Sequence, residues 1–368
     1  MRFALFVHSL RSDWNHGNAH FLRGVASELV ARGHAVLAFE PEGAWSAENL
    51  VRDHGAAALE AWRGPYPELA GTIRLYRPEA FDPGEALEGV DVALVHEWND
   101  PALVARLGEE RTRRPALRLL FHDTHHRAAT RPEEMARFDL SRYDGVLAFG
   151  RAVERLYRER GWARRVFTWH EAADVRRFRP LPSEKEGDLV FVGNWGDEER
   201  TEELREFLLG PVKHLGIAGV VHGVRYPPAA RRELAAAGLA FQGYLPNFQA
   251  PLAFARHRVT VHVPRRPYAR ALPGIPTIRA FEALACGIPL VCAPWDDAEG
   301  LFRPGRDYLV ARDGAEMRLH LAAILREPAL ARSLAESGLE TIRARHTCAH
   351  RVDELLGILG AIGDDFLE

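Results

Sequence analysis

The sequence predicts an α/β protein built from two facing, doubly wound, Rossmann-like domains with a cleft between them. Three observations predict it. At 368 residues the chain is too long for one compact core. Its first forty residues alternate between strand and helix periods, a βαβ unit that calls for a parallel sheet with a right-handed crossover. The same alternation starts again after a break rich in proline and charge near residue 180.

The elements follow in order. Residues 3–7 read as a buried strand, bounded by a polar loop over 8–18. Phe21, Val25, Leu29 and Val30 then recur at helical spacing until Gly33, and 35–39 is the next strand. Further strands are expected at 90–95, 118–121 and 145–149, with helices such as 101–107 and 152–160. This gives a first domain over 1–178. Residues 179–187 carry two prolines, charges and a glycine, the composition of a linker. A second domain over 188–345 restarts the pattern. Strands are expected at 189–192, 218–222, 240–241, 259–263 and 290–292, and helices at 202–208, 228–237, 249–255, 277–285 and 314–327. The stretch from 330 to about 362 reads as helical, and 346–368 is expected to pack back on the first domain. No repeat, low-complexity tract or heptad run is visible.

Composition bounds the class. Apolar residues at 47% and charged residues at 27% are those of a globular chain. They exclude a disordered, collagen-like or multi-spanning membrane protein. The net charge of −3, from 48 basic and 51 acidic side chains, gives no field that favours nucleic acid. Lys185 and Lys213 are the only lysines. Three cysteines (Cys286, Cys292 and Cys348) are an odd number and make no disulfide framework, so a reducing cytoplasm is expected. The apolar run at 3–7 is too short for a signal peptide, and the uncharged run at 284–295 is too short to span a bilayer. The basic cluster Arg111–Arg114 reads as a solvated loop, with a peripheral membrane or acidic-acceptor contact as the lesser alternative.

The segment 272–291 is the richest in chemistry. Gly274 sits in a loop where a ligand can approach the backbone, followed by Ile275. Pro276 suits a first helical turn, so Thr277 and Ile278 would present N–H groups at a helix N-terminus, where phosphate is attracted. Arg279 adds a fork of donors, and Glu282, one turn on, could accept two ribose hydroxyls. Spacing alone leaves this reading open beside a tight loop and a core-packed helix with a solvated glutamate.

Phe281-Glu-Ala-Leu-Ala-Cys-Gly-Ile-Pro-Leu290 resembles the second half of the signature of retaining GT-B glycosyltransferases of family four. That pattern is Glu, seven residues, then Glu-Ala-Met/Leu-Ala-Cys-Gly-x-Pro-Val/Leu. Gly274 stands where the first glutamate belongs. The departure, with Arg279-x-x-Glu282, is similar to a branch of spore-maturation CgeB-type glycosyltransferases. The resemblance implies a GT-B fold and transfer of a sugar from a nucleoside-diphosphate sugar, with retention and without a metal. It implies that Glu282 holds the ribose, while the usual partner of the donor sugar is missing at Gly274. It covers most of the chain. His16-Gly17-Asn18 is similar to the loop after strand one, with Gly17 on the donor side and His16 and Asn18 on the acceptor side. His122 resembles the family's histidine near the donor sugar. The segment from Trp169 to Pro180 resembles the end of the first domain. Gly193-Asn194 resembles the first loop of the donor domain, where Arg200 is the nearest substitute for the family's diphosphate-gripping cations. Phe241-Gln-Gly-Tyr244-Leu245 resembles the turn whose backbone reads the base edge.

His122, His125 and His126, with His96-Glu97 nearby, could also be read as a metal site. They follow a strand directly, so helical spacing does not apply, and a polar loop is the better reading. His122 is then a site residue, and His125 and His126 lie on the acceptor side. No Asp-x-Asp motif occurs, and no metal is expected. No Gly-Lys dipeptide, Gly-x-Gly-x-x-Gly or Gly-x-Ser-x-Gly occurs either, which argues against phosphate-loop, dehydrogenase and α/β-hydrolase chemistry. The expected activity is glycosyl transfer, with His122, Arg279 and Arg200 as catalytic groups, a nucleotide sugar as co-substrate and no other cofactor. The acceptor is an unidentified glycan, lipid, small molecule or protein. A nucleotide-sugar epimerase, a phosphorylase and a non-catalytic nucleotide-sugar binder are the alternatives.

Overall fold

The computed structural model describes residues 1–364; the last four residues of the helix expected to end the chain lie outside the described residues. Its strands are β1 Arg2–Phe6, β2 Ala35–Pro41, β3 Ile73–Tyr76, β4 Val92–His96, β5 Arg118–Asp123, β6 Gly145–Ala148, β7 Val166–Thr168, β8 Gly187–Val192, β9 Gly219–His222, β10 Leu239–Gly243, β11 His257–His262, β12 Leu290–Cys292 and β13 Leu309–Val310. Two compact units result. One is Met1–Glu171 joined by the C-terminal helix Cys348–Asp364, and the other is Ala172–Thr347.

In the first unit the sheet order is β3-β2-β1-β4-β5-β6-β7, and every pairing is parallel. Phe3 lies opposite Val36 on one side and Val92 on the other. Every position of β4 is buried, as is expected of a central strand in a parallel sheet covered on both faces. The C-terminal helix belongs here. Arg32, just past the helix Ala19–Ala31, donates from Nη2 to the Ala349 carbonyl at 3.0 Å, and Trp169 Nε1 donates to the Arg351 carbonyl at 2.8 Å.

In the second unit the order is β10-β9-β8-β11-β12-β13, again all parallel. Leu189, Phe191, Val221, Val259, Val261 and Val291 form its core with helix residues such as Leu208 and Leu321. In each sheet the chain order reverses beside the first strand, between β1 and β4 and between β8 and β11. Loops leaving neighbouring strands in opposite directions open a crevice there, and that is where such sheets hold ligands.

Several details differ from the sequence reading. The short strands β3, β7 and β13 were not expected. The strand expected from 90 begins at Val92, because Gly89 at φ +64° ends a turn just before it. The helical stretch expected over 330–362 is two helices, Pro328–Arg345 and Cys348–Asp364, the second starting near residue 346. The break falls at His346, whose Nε2 lies 2.7 Å from the Leu301 carbonyl and whose own carbonyl accepts from Ala173 N. The basic cluster is no solvated loop. It closes the helix Pro101–Arg113, with Arg111 on Asp144 at 2.9 Å and Arg113 and Arg114 on Glu110.

Candidate functional site

The second unit gathers cations and glycines at the β8/β11 crevice. After β8 the chain turns through Gly193 and Asn194. A Cβ on Gly193 would come within 2.9 Å of the Phe191 ring and 3.0 Å of Arg200 Nη2, so the backbone lies tight against the arginine. Arg200 crosses the crevice. Its Nη1 donates to the Val263 carbonyl at 2.9 Å, its Nη2 donates to the Asn194 carbonyl, and its Nε is buried without a partner among the described residues. Burial, and repulsion from Arg265 and Arg279, bring its pKa down to about 10. No carboxylate pairs with its guanidinium in these contacts.

The helix Ile278–Ala285 starts at the same place. Thr277 occupies the N-cap with extended backbone, yet no side chain caps the helix. A threonine here would usually bond back to the first-turn N–H groups. Instead its Oγ1 lies 2.9 Å from Nε2 of His262, the last residue of β11. Burial first, then Arg200 and Arg279, hold His262 neutral with a pKa of about 3. Glu282 is fully buried and forms an ion pair with Arg279 Nη1. The glycine at 274 has a physical reason. Its φ is +86°, and a Cβ would collide with Glu299, whose Oε1 lies 3.0 Å from the Cβ position. A glutamate cannot occupy this backbone, and the Glu299 side chain fills the room instead.

Ile275 is buried in the loop before that helix. Tyr244 and Leu245 follow β10, two strands from β8, and are half-buried. Asn194 is fixed from the side, its Oδ1 accepting from Val224 N at 3.0 Å.

The first unit places imidazoles and carboxylates at the β1/β4 crevice. His8, His16, His96 and His122 form a row with ring centroids 5.3, 6.3 and 5.3 Å apart. His122 ends up 2% exposed, its ring 4.9 Å from that of Trp169, and its Nε2 has no partner among the described residues. Burial, then His96, lowers its pKa to about 3. His8 is lowered to about 4 and His16 well below its ordinary value, again chiefly by burial. Both polar atoms of the Asn18 side-chain amide are buried without partners among the described residues. Gly17 lies half-buried between them. Burial disfavours the Glu97 charge, yet His96, Arg127 and His122 hold its carboxyl well below the usual range. Asp123 goes the other way, up to about 7, through burial and Glu97; it accepts from Tyr157 OH at 2.9 Å. The His125 and His126 rings lie 4.0 Å apart at a tilt of 36°, with His125 edge-on to Trp98. Among the described residues, no group of three or more His, Cys, Asp or Glu side chains is placed to hold a metal ion.

Thus Gly193, Asn194, Arg200, Thr277, Ile278, Arg279 and Glu282 gather in one unit, and His16, Asn18 and His122 in the other. Sequence reasoning missed His262 and Glu299, and it considered Glu97 only as a metal ligand. The available signal for His262 was its place at the carboxyl end of a central strand.

Residues 200–357 match a protein-family model described as glycosyl transferase-like. Solved structures match the fold over nearly the whole chain. Sucrose-phosphate synthase from Thermosynechococcus elongatus is 16% identical, with 98% of this chain and 99% of that one covered and a TM-score of 0.65. The Anabaena protein HepE in complex with UDP is 13% identical, covering 98% and 100%, at 0.67. An alpha-glucosyltransferase in complex with UDP and a 13-mer DNA is 14% identical, covering 98% and 99%, at 0.68. No curated protein matches the sequence. The fold is the two-domain GT-B fold, and with the family match it supports a glycosyltransferase.

Proposed function

We propose that this chain moves a sugar from a nucleoside-diphosphate sugar to an acceptor hydroxyl, without a metal, with retention, in the cytoplasm, as a member of the CgeB-type branch. One observation carries the reading. The helix Ile278–Ala285 begins with no side-chain cap, beside Arg279 and the carboxylate-free Arg200, and Glu282 is buried on its first turns. A helix start of that kind, flanked by guanidinium groups, suits a diphosphate.

The geometry supports the following roles. The diphosphate takes the N–H groups of Thr277 and Ile278 and the charges of Arg279 and Arg200. As the donor bond breaks, the leaving diphosphate gains charge, and donors already in place stabilise it without reorganisation. One such donor is worth about 3 kcal/mol in other enzymes. Glu282, braced by Arg279, takes the ribose. Gly193, Asn194, Tyr244, Leu245, Gly274 and Ile275 complete the donor side. His122, held neutral, is a hydrogen-bonding group for the sugar, with Gly17 beside it. His16, Asn18, His125 and His126 serve the acceptor, which is a glycan, lipid, small molecule or protein; the net charge of −3 offers a nucleic acid little.

The glycine at 274, where the signature has a glutamate, favours one second reading, a nucleotide-sugar binder without turnover. Incubating the chain with UDP-, GDP-, dTDP- and ADP-sugars separates the two. Slow release of one nucleoside diphosphate is the expected result. Binding without release supports the binder, and conversion of the sugar without release an epimerase. No binding at all would falsify the donor site.

A further inference from the structure

We propose that the first unit carries a binding surface for a neutral glycan, with Trp98 as the ring on which a pyranose stacks and Trp45 as a second such ring; that this glycan is the acceptor rests on the transferase reading above. Of the eight tryptophans, these are the two left exposed, at 42% and 44%. Both stand at the carboxyl edge of the first sheet. Trp98 follows β4, Trp45 follows β2, and the two strands flank β1. Strands so placed lie about 10 Å apart across a sheet, so an extended glycan can reach both indoles. His8, after β1, joins the two places. Ser46 N donates to its Nε2 at 3.2 Å, and its ring centroid is 6.5 Å from that of Trp98.

Trp98 is held in place. The Arg127 guanidinium carbon lies 4.1 Å from its ring centroid, and His125 packs edge-on at 5.0 Å. Arg127 is itself only 8% exposed, and its Nη2 donates to the Glu97 carbonyl at 2.8 Å. A buried cation thus braces an indole that still shows much of its surface to water. Trp45 is braced by the Trp14 ring, 5.1 Å away and edge-on. A ring already fixed loses little conformational freedom when a ligand stacks on it.

The same sheet edge holds polar groups with nothing to bind. Asn18 stands at the N-cap of the helix Ala19–Ala31 but gives it no side-chain cap, and its amide oxygen and nitrogen are both buried without partners among the described residues. His16 Nε2 is in the same state, with its ring 5.3 Å from that of His8. Folded proteins rarely leave such atoms unpaired. Flat apolar faces beside free donors and acceptors match one class of molecule. A pyranose has a face of C–H groups, drawn to the negative face of an indole, and a rim of hydroxyls that both donate and accept. An acyl chain would leave the amide unpaired. A polyanion gains little, since Arg127 is already paired with Glu134 at 3.5 Å and the net charge is −3.

The test titrates the full chain, without nucleotide, with cellotetraose, maltotetraose, mannotetraose and chitotetraose by calorimetry. At least one should bind, and Trp98→Ala should weaken it about tenfold or more. Trp98→Phe keeps an aromatic face and should recover most of that loss. Trp45→Ala should weaken binding about threefold. The melting temperature, and its shift with nucleoside diphosphates, should be the same in wild type and in all three variants. No binding of any tetrasaccharide up to about 10 mM overturns the proposal, as does affinity within about twofold of wild type in Trp98→Ala. If Trp98→Ala does not fold, Trp45→Ala decides, and unchanged affinity there overturns it. Tighter binding of a deoxythymidine 10-mer or of dodecylphosphocholine micelles, lost in Trp98→Ala, overturns it in favour of a nucleic acid or a lipid. A chain that binds a glycan but releases no diphosphate from UDP-, GDP-, dTDP- or ADP-sugars removes the transferase reading and leaves this surface standing. Release without glycan binding removes this proposal alone.

Discussion

At the crevice between β1 and β4 the polar groups are imidazoles and carboxylates, whereas between β8 and β11 they are guanidinium groups and an uncapped helix start. The strand order around the two crevices is the same. In the first unit burial keeps His8 and His122 neutral, near 4 and 3, and lifts Asp123 to about 7, while Glu97 stays ionised beside Arg127, so the crevice gathers no excess of cations. In the second unit burial, and the nearby Arg265 and Arg279, depress the pKa of Arg200, and the crevice suits an anion. The sheet order therefore decides where a ligand goes, and the residues at the strand ends decide which ligand. The contrast can be attacked from either side.

The largest effect is expected at Arg279. Truncation to alanine would leave Glu282 buried without its cation, at a cost of about 3 kcal/mol or more, and would confuse stability with function. Arg279→Lys keeps the charge and loses the planar fork. We expect donor turnover to fall about 100-fold with little change in melting temperature. Undiminished turnover in single-turnover assays would remove Arg279 from the leaving-group site.

Salt gives a smaller effect that separates the two crevices directly. Raising ionic strength from about 0.05 to 0.5 M should weaken diphosphate binding several-fold and leave the KM for an uncharged acceptor nearly unchanged. Equal sensitivity of both would show that the first unit's site is charged after all.

Gly274→Ala tests the backbone beneath the donor loop. At φ +86°, with Glu299 against the Cβ position, the substitution should cost about 1–3 kcal/mol and lower the melting temperature of the second unit by a few degrees. A scan showing no change would mean the loop relaxes freely.

Asp123 adds a pH dependence. Its folded-state pKa of about 7 lies above the ordinary value of 3.8. Its stabilising contribution is therefore complete below about 4 and lost as pH rises through 7. Asp123→Asn removes that slope, so the variant's melting temperature relative to wild type should climb between pH 4 and 8. A flat difference would show that Asp123 titrates normally.

Much of the fold was legible because central parallel strands are buried on both faces and read as apolar runs, such as Phe3-Ala-Leu-Phe6 and Val259-Thr-Val261. The strands that escaped were short or at the sheet edges. β3 reads Ile-Arg-Leu-Tyr with both middle residues exposed, and β13 is two residues long. At the helix break the His346 ring meets a distant carbonyl, that of Leu301, a contact that no local spacing encodes. At the donor side, Thr277, Arg279 and Glu282 share one helix, so local spacing exposed them. The His96–Glu97–Thr124 cluster joins the ends of β4 and β5, which are distant in sequence, so no local spacing encodes it. Gly274 was visible as a departure, but Glu299, the reason for it, lies 25 residues along the chain.

The most direct test of the central claim is calorimetric titration of the four nucleoside diphosphates into the wild-type chain, Glu282→Gln and His122→Gln. The account predicts that one diphosphate binds, that Glu282→Gln weakens it about tenfold, and that His122→Gln leaves it unchanged. Binding that survives Glu282→Gln intact, or that depends on His122 instead, would contradict a donor site at the start of the helix Ile278–Ala285.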